Sequence, residues 1–326
     1  VSQTIFVFGC TGQDGSLICQ SLLKKKFKVI GFSRKSDPNR NNHELLGISK
    51  DFEIHQIDFK NPKVIKKAID RFHPSEIYNL GAQSSVGKSY VEVSETLESI
   101  VNATVNILQS SKEVQYDGKI FFAGSGEIYG ETNLAAKRST PPNPQSPYGI
   151  AKACCLNYVK FYREVYKLNC VSGILFNHES ILRSDQFVTK KIIKNALKCL
   201  KNKNHKLKVG NIDIARDWGW ADEYVEAMQI ITRSKILKDQ IICTGTLTKL
   251  KDFIQITFEK LGLKWEDYVE IDKKLFRRSE ISRNFGNPIQ LKQELGWESR
   301  LKISQIIENM INHEIIFCKD NINSTH

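Results

Sequence analysis

The chain has 326 residues, 40% hydrophobic and 26% charged, which suits a core-bearing globular domain with a smaller second lobe. No apolar run reaches the ~18 residues of a membrane-spanning helix, and strand-like residues begin at position 3 with no basic-then-apolar leader, so a cytoplasmic protein is expected, with no membrane partner. The formal charge of +12 is scattered over lysines at 24–26, 190–208 and 249–251 without a nucleic-acid module, and reads as a solvated surface, or one suited to anionic small molecules, rather than a nucleic-acid site.

Eight cysteines include no Cys-x-x-Cys pair and read as reduced, small hydrophobes. Of the neighbours Cys154 and Cys155, on one helix, both cannot point inward. Seven histidines show no metal-ligand spacing, so no metal is expected.

Residues 3–8 predict a buried parallel strand. Gly9-Cys10-Thr11-Gly12-Gln13-Asp14-Gly15 follows, then a helix over 16–25. Three glycines at a strand-to-helix turn permit a tight bend and close backbone approach, so that a pyrophosphate can rest on the helix N-terminus. Gly9, Thr11, Gly12, Gln13, Asp14 and Gly15 are therefore candidate cofactor contacts.

A second strand over 28–32 ends in Ser33-Arg34-Lys35. An acidic residue there would bind the ribose hydroxyls of NAD. Arg34 and Lys35 suit a 2′-phosphate and favour NADP; the plainer reading is that they open a polar loop over 36–51. Strand 52–57 leads to Asp58, placed to accept from an adenine amino group. A basic amphipathic helix covers 62–72, and strand 76–79 exits through Leu80-Gly81-Ala82-Gln83-Ser84-Ser85, small residues suited to close passage of a cofactor. Residues 93–116 predict one long helix.

The fifth strand, 119–123, is followed by Gly124-Ser125-Gly126-Glu127, at the sheet edge where such folds bind ligands. A proline-bearing loop, 131–146, is compatible with a rim over the site. Helix 148–167 places Tyr148 and Lys152 one turn apart on one face. A lysine there would favour the Tyr148 phenolate and bring its pKa below the usual value of about 10. Such a tyrosine exchanges a proton with a sugar or alcohol hydroxyl, Ser125 can share that hydrogen bond, and Glu127 adds a carboxylate that simple hydride transfer does not need. The Tyr-x-x-x-Lys spacing alone is that of an ordinary helical pair; the motifs before it give it weight.

Strand 170–176 ends at Asn177-His178-Glu179, where His178 is either a ligand contact or strand-end packing. Then come a basic helix over 187–200, a hairpin-like region over 206–211, Arg216-Asp217-Trp218-Gly219, helix 222–234, a last strand 241–243, and helices at 251–262, 290–295 and 302–316. The alternation predicts an α/β, doubly wound parallel sheet (Rossmann) over 1–176, with later returns near 214–245, and a smaller mixed C-terminal substrate-binding lobe over 177–326, interleaved with it.

At this level the chain resembles the nucleotide-sugar branch of the extended short-chain dehydrogenase/reductase family, and within it the GDP-mannose 4,6-dehydratases. The likeness covers essentially the whole chain. It is carried by Gly12-Gln13-Asp14-Gly15-Ser16, Tyr78-Asn79-Leu80-Gly81-Ala82-Gln83-Ser84, Ser146-Pro147-Tyr148-Gly149 with Lys152, and Gly173-Ile174-Leu175-Phe176-Asn177-His178-Glu179-Ser180. Phe187-Val188-Thr189 with Lys191-Ile192, Gly210-Asn211 with Asp213, and Arg216-Asp217-Trp218-Gly219 add to it.

The resemblance implies a tightly bound NADP, regenerated each turnover, and conversion of GDP-mannose, or a close GDP-sugar, into GDP-4-keto-6-deoxymannose and water. It makes Ser125 the counterpart of a catalytic Thr, and Glu127, Tyr148 and Lys152 those of the family's Glu, Tyr and Lys. It implies cofactor contacts at Arg34, Lys35, Asp58, Leu80, Gly81, Ala82, Gln83, His178 and Arg183. Substrate contacts are implied at Ser84, Asn177 and Gly210, at Phe187, Val188 and Lys191 towards guanosine, at Arg216 on the diphosphate, and at Arg277 and Glu280 on the nucleotide.

Several positions depart from the family pattern. Ser125-Gly126-Glu127 replaces Thr-Ser-Glu, and Gly126 is expected to leave that loop freer. Arg34-Lys35 replaces two arginines, losing one planar fork. Residues 37–42 depart from the loop with which the family builds tetramers, so a homo-oligomer is expected with a dimer favoured. Ile181-Leu182-Arg183 lacks one arginine of the family's Pro-Arg-Arg, and Trp220 stands for a His. The alternatives are a related GDP-sugar 4-reductase or epimerase, or a catalytically inactive NADP-binding protein.

Overall fold

The structure is a computed structural model that describes residues 3–36, 38–276 and 279–323, with side chains as far as 316. The apolar runs read from the sequence become strands β1 (Thr4–Phe8), β2 (Lys28–Ser33), β3 (Glu53–Gln56), β4 (Glu76–Asn79), β5 (Lys119–Ala123) and β6 (Cys170–Leu175). Together with Gln240–Ile242 they form one sheet in the order β3-β2-β1-β4-β5-β6 and then Gln240–Ile242, with every neighbouring pair parallel.

Both faces of the central strands are covered, which is why they read as apolar runs; the edge strand β3, Glu-Ile-His-Gln, has no buried residue. Side chains alternate with period two. Ile5, Val7, Tyr78, Phe121 and Val171 pack on one face with helix α1 (Gln13–Lys24) and helix Ala221–Arg233. Phe6, Phe8, Phe32, Ile77 and Phe122 pack on the other with helices Pro62–Phe72, Ala103–Glu113 and Pro147–Val165. The second lobe has its own core of Ile192, Trp218, Phe253, Phe258, Ile306 and Met310, drawn from strand Trp218–Trp220 and helices Val188–Lys201, Leu250–Lys260 and Ile303–Asn323.

Three local expectations are corrected. The single helix over 93–116 is interrupted: α-helix Val93–Leu97 runs into a π-helical stretch, Glu98–Asn102, before Ala103–Glu113 resumes. The polar loop over 36–51 contains a short helix, Asn41–Leu45. The hairpin at 206–211 does not form, because Leu207–Val209 pairs in parallel with the distant strand Val269–Ile271. No helix of the described residues is long and apolar enough to cross a membrane.

Candidate active site

β1 and β4 are neighbours in the sheet, and the loops that leave their C-terminal ends meet. Gly9 has φ +77°, and a Cβ there would lie 2.5 Å from Gly81 Cα. A Cβ on Gly15 would lie 2.1 Å from Gly9 O, so α1 starts directly against the turn. Gly12 caps α1 without a side-chain hydrogen bond, and a Cβ on it would meet only Gly9 O, at 3.5 Å. Two glycines thus allow backbone contact, and the third leaves the N-terminus of α1 open to an approaching anion.

Two residues not singled out in the sequence hold this turn. Asn42 Nδ2 donates to Thr11 O at 2.9 Å, and His43 Nε2 lies 2.8 Å from Cys10 O, an acceptor, so this nitrogen carries the proton. These bonds anchor the short helix Asn41–Leu45; the sequence signal for them was only an Asn and a His in a polar loop.

A cleft of about 290 Å³ opens beside the turn, lined by Gly9, Thr11, Gly12, Arg34, Lys35, Asp58, Leu80, Gly81 and Ala82. Glu95, Glu98 and Ser99 line it too, and the sequence reading missed them. Arg34 Nη1 is 2.6 Å from Glu95 Oε1, and Lys60 pairs with Glu98. Gln83 hydrogen-bonds Ser85 and Thr96, and Ser84 beside it is exposed.

Ser125 stands at the end of β5, where its Oγ accepts from Glu127 N at 3.3 Å and caps the 3-10 turn Gly126–Tyr129. Helix Pro147–Val165 begins opposite, with Pro147 in its first turn and Ser146 Oγ accepting from Gly149 N at 3.0 Å. This brings Tyr148 into a hydrogen bond with Ser125 and within reach of the Glu127 charge. A Cβ on Gly149 would lie 2.8 Å from Glu127 O, so the Glu127 turn packs on the first turn of the Tyr148 helix.

The relation between Tyr148 and Lys152 differs from that expected. Lys152 Nζ donates to Ala123 O at 2.7 Å and lies 5.8 Å from the centroid of the Tyr148 ring. Burial pushes the Tyr148 phenol well above its ordinary range; the Ser125 hydrogen bond works against this, and the Glu127 charge adds to it. Burial also lowers the Lys152 ammonium. Lys152 is thus not among the groups that act most on the Tyr148 phenol, which burial dominates.

Gly126 does not loosen the loop. Its carbonyl and that of Gly130 both accept from Asn284 Nδ2, and the Phe176 ring lies where a side chain at 126 would go.

His178 bridges strand end and phosphate turn. Its Nε2 is 3.0 Å from both Asp14 oxygens, its Nδ1 is 2.7 Å from Phe176 O, and its ring stacks on Tyr224. Burial opposes the Asp14 charge, but His178, with Gln13 and Arg183 adding to it, outweighs burial and holds the carboxyl down at about 2. Gln13 accepts from Ser180 Oγ at 2.8 Å. Arg183 is engaged by Glu179 at 2.7 Å and lies over the Phe187 ring at 4.5 Å.

Asn177 is exposed on strand Asn177–Glu179, which pairs with Trp218–Trp220. Phe187 caps the helix that begins with Val188, and Lys191 Nζ donates to Lys208 O. A Cβ on Gly210 would lie 2.9 Å from Leu275 O, so the segment before 277 runs alongside. Arg216 is buried on strand Ala215–Arg216 and donates to Ala215 O, and Glu280 is half-buried. Arg277 lies outside the described residues. Among the described residues no group of three metal-ligating side chains comes together.

A phosphate turn at the sheet's switch point, with Ser, Glu and Tyr gathered beside it, defines a nucleotide-sugar enzyme of the extended short-chain dehydrogenase/reductase class. Solved structures share the fold. A UDP-glucose 4-epimerase of Thermotoga maritima superposes with TM-score 0.86 at 19% identity, covering 97% of this chain and all of its own. A dTDP-glucose 4,6-dehydratase of Bacillus anthracis gives 0.83 at 19% identity, covering 96% of each chain.

The family model for GDP-mannose 4,6 dehydratase matches residues 6–310, and the chain belongs to that family. It is 34% identical to GDP-mannose 4,6 dehydratase 1 of Arabidopsis thaliana, covering 96% of this chain and 90% of the relative. It is 32% identical to the human GDP-mannose 4,6 dehydratase, covering 98% and 93%.

Proposed function

We propose that the protein removes water from GDP-mannose to give GDP-4-keto-6-deoxymannose, with Ser125, Glu127, Tyr148 and Lys152 as its catalytic residues. The observation that carries this reading is a carboxylate two residues after the serine that hydrogen-bonds Tyr148, on a turn packed against the tyrosine's own helix. Oxidising a sugar hydroxyl needs only the tyrosine and its neighbours. Elimination needs a second base, and Glu127 supplies one.

A nicotinamide dinucleotide fits the described residues: Gly9 and Gly81 allow backbone approach, the N-terminus of α1 faces the cleft, and the cleft is bordered by Arg34 and Lys35. Those two cations support NADP over NAD. Tyr148 and Lys152 would hold its ribose. A bound nicotinamide would supply the hydride acceptor for C4 of the sugar and the hydride donor for C6.

Tyr148, once the positive charge of a bound oxidised dinucleotide has favoured its phenolate over the buried phenol, would take the C4 hydroxyl proton, with Ser125 hydrogen-bonded at O4. The 4-ketone acidifies C5–H, Glu127 removes that proton, and the protonated Glu127 then donates it to the C6 hydroxyl leaving as water. The proton held by Tyr148 is the one returned at C5, so the site ends as it began. Arg216, Phe187, Val188, Lys191, Arg277 and Glu280 are proposed to hold the nucleotide.

The test is to mix the pure protein with GDP-mannose, adding no reduced cofactor, and to look for the 4-keto product. Product from the parent chain and none from Glu127→Gln is the expected result. Full turnover by Glu127→Gln would sink the assignment, and stoichiometric consumption of added NADPH would favour a 4-reductase instead. Mass spectrometry of the released dinucleotide separates NADP from NAD.

A homodimer is the proposed assembly. Ile150, Tyr158, Phe161 and Val165 are exposed on helix Pro147–Val165, with Val93 and Leu97 exposed on the neighbouring helix, an apolar face suited to a second copy. Phe161→Lys should shift the mass measured by light scattering from dimer to monomer.

A further inference from the structure

The turn that carries Glu127 is gripped from the second lobe. Asn284 is 1% exposed, and its Nδ2 donates to Gly126 O at 3.1 Å and to Gly130 O at 2.8 Å, the carbonyls on either side of residues 127–129. A primary amide nitrogen has two hydrogens, and here both go to one turn. Glu131 fastens the same two segments, its carboxylate accepting from Ser282 N at 2.6 Å and Arg283 N at 2.9 Å. Thr132 N donates to Arg283 O at 2.9 Å.

Asn284 is also part of the substrate lobe's framework. It lies on the short strand Arg283–Asn284, parallel to Ala215–Arg216, with Asn284 opposite Arg216. Asp217 N donates to Asn284 O at 3.2 Å, and the buried Asp217 carboxylate accepts from Thr244 and Gly245. A shift of the strand bearing Arg216 therefore reaches the Glu127 turn through one side chain.

We infer that Asn284 is a positioning residue, which sets the reach of Glu127 and couples it to the strand that carries Arg216. The inference rests on Glu127 acting as the acid–base group proposed above. Asn284 touches neither substrate nor cofactor in this account; it acts through the carbonyls of Gly126 and Gly130. Tyr148 is fixed by its own helix cap, so the proton transfer at O4 depends less on Asn284 than the proton transfers at C5 and C6 do.

Asn284→Leu tests this in the full chain. It fills a similar volume but leaves two buried carbonyls without their donor. Three quantities are read per cofactor-loaded site: the rate of C4 oxidation from reduced-nicotinamide absorbance, the rate of 4-keto product formation, and KM for GDP-mannose. Elimination should slow by roughly 10- to 100-fold, while oxidation and KM change by no more than about threefold, so that reduced cofactor accumulates.

A purely structural role would lower the melting temperature and the loaded fraction, and leave the ratio of elimination to oxidation unchanged; that outcome overturns the inference. Loss of elimination in Glu127→Gln with normal elimination in Asn284→Leu overturns it alone. Full elimination in Glu127→Gln overturns the acid–base reading, and the inference with it. Should Asn284→Leu fail to fold, Glu131→Ala loosens the same junction from its more exposed side and should shift the ratio in the same direction; an unshifted ratio is again contrary.

Discussion

The Phe176 ring lies directly over Gly126, and a Cβ built on that glycine would sit 2.8 Å from Phe176 Cδ1. Phe176 is itself fully buried and stacks on Tyr129, the last residue of the same turn. Restoring a serine at 126 should therefore overpack the turn. Gly126→Ser should cost about 1–3 kcal/mol by chemical denaturation and lower turnover through Glu127. Combining it with Phe176→Leu should recover part of both losses, and strictly additive losses would show that the ring is not the cause.

Burial, more than any protein charge, governs Tyr148. With its phenol raised, it stays protonated in the free protein through neutral and mildly alkaline pH. A positively charged oxidised nicotinamide beside it would oppose burial. The ultraviolet phenolate difference between the parent chain and Tyr148→Phe should then appear at lower pH when oxidised dinucleotide is added. A difference of equal size and midpoint without dinucleotide would contradict this account.

Arg34 shares its cleft with the Glu95 carboxylate, 2.6 Å away. A 2′-phosphate and Glu95 would compete for the same guanidinium. Glu95→Gln should tighten NADP by roughly twofold to fivefold and leave NAD unchanged, since exposed pairs of this kind are weak. Arg34→Ala should weaken NADP and not NAD. Calorimetric titration of the cofactor-stripped protein reads both, and equal effects on the two dinucleotides would remove Arg34 from the specificity argument.

The loop over 131–146 is strapped by Arg138, which makes a two-point contact with Glu294 at 2.8 and 2.9 Å. The Arg138 hydrogen bond is the main reason the Glu294 carboxyl falls from 4.5 to about 2, with Gln240 adding to it. A depressed carboxyl stabilises the fold above its ordinary pKa. The contribution is lost as pH falls from about 4.5 to about 2, and it amounts to no more than about 3 kcal/mol before screening of a partly exposed pair. Glu294→Gln should unfold more readily at neutral pH and show a flatter stability profile over that acid range.

The central sheet was legible because its strands are buried on both faces and read as apolar runs with turn residues after them, while the edge strand β3, Glu-Ile-His-Gln, is partly exposed. The phosphate turn was legible for a local reason too: Gly9 and Gly15 have no room for a Cβ. What escaped was non-local or weakly periodic. A π-helical turn at Glu98–Asn102 leaves the apolar spacing of one long helix nearly intact. Five residues of helix at Asn41–Leu45 are too few for a pattern, and their anchors are acceptors thirty residues earlier in the chain. Val209 gives no hint that its partner is Ile271. The Lys152 spacing correctly placed it one turn from Tyr148, but could not show that the carbonyl of Ala123 holds its ammonium.

Asn284 and the carbonyl of Gly126 are 158 residues apart in sequence. During synthesis the sheet strands up to β6 leave the ribosome well before Asn284 does. At roughly 5–20 residues per second, the 109 residues between the end of β6 at Leu175 and Asn284 take about 5 to 22 s. For that interval the growing chain has its phosphate turn and its tyrosine, but its carboxylate turn lacks both donated hydrogen bonds. The carboxylate turn thus gains its last two hydrogen bonds late in the protein's own assembly, when Asn284 arrives.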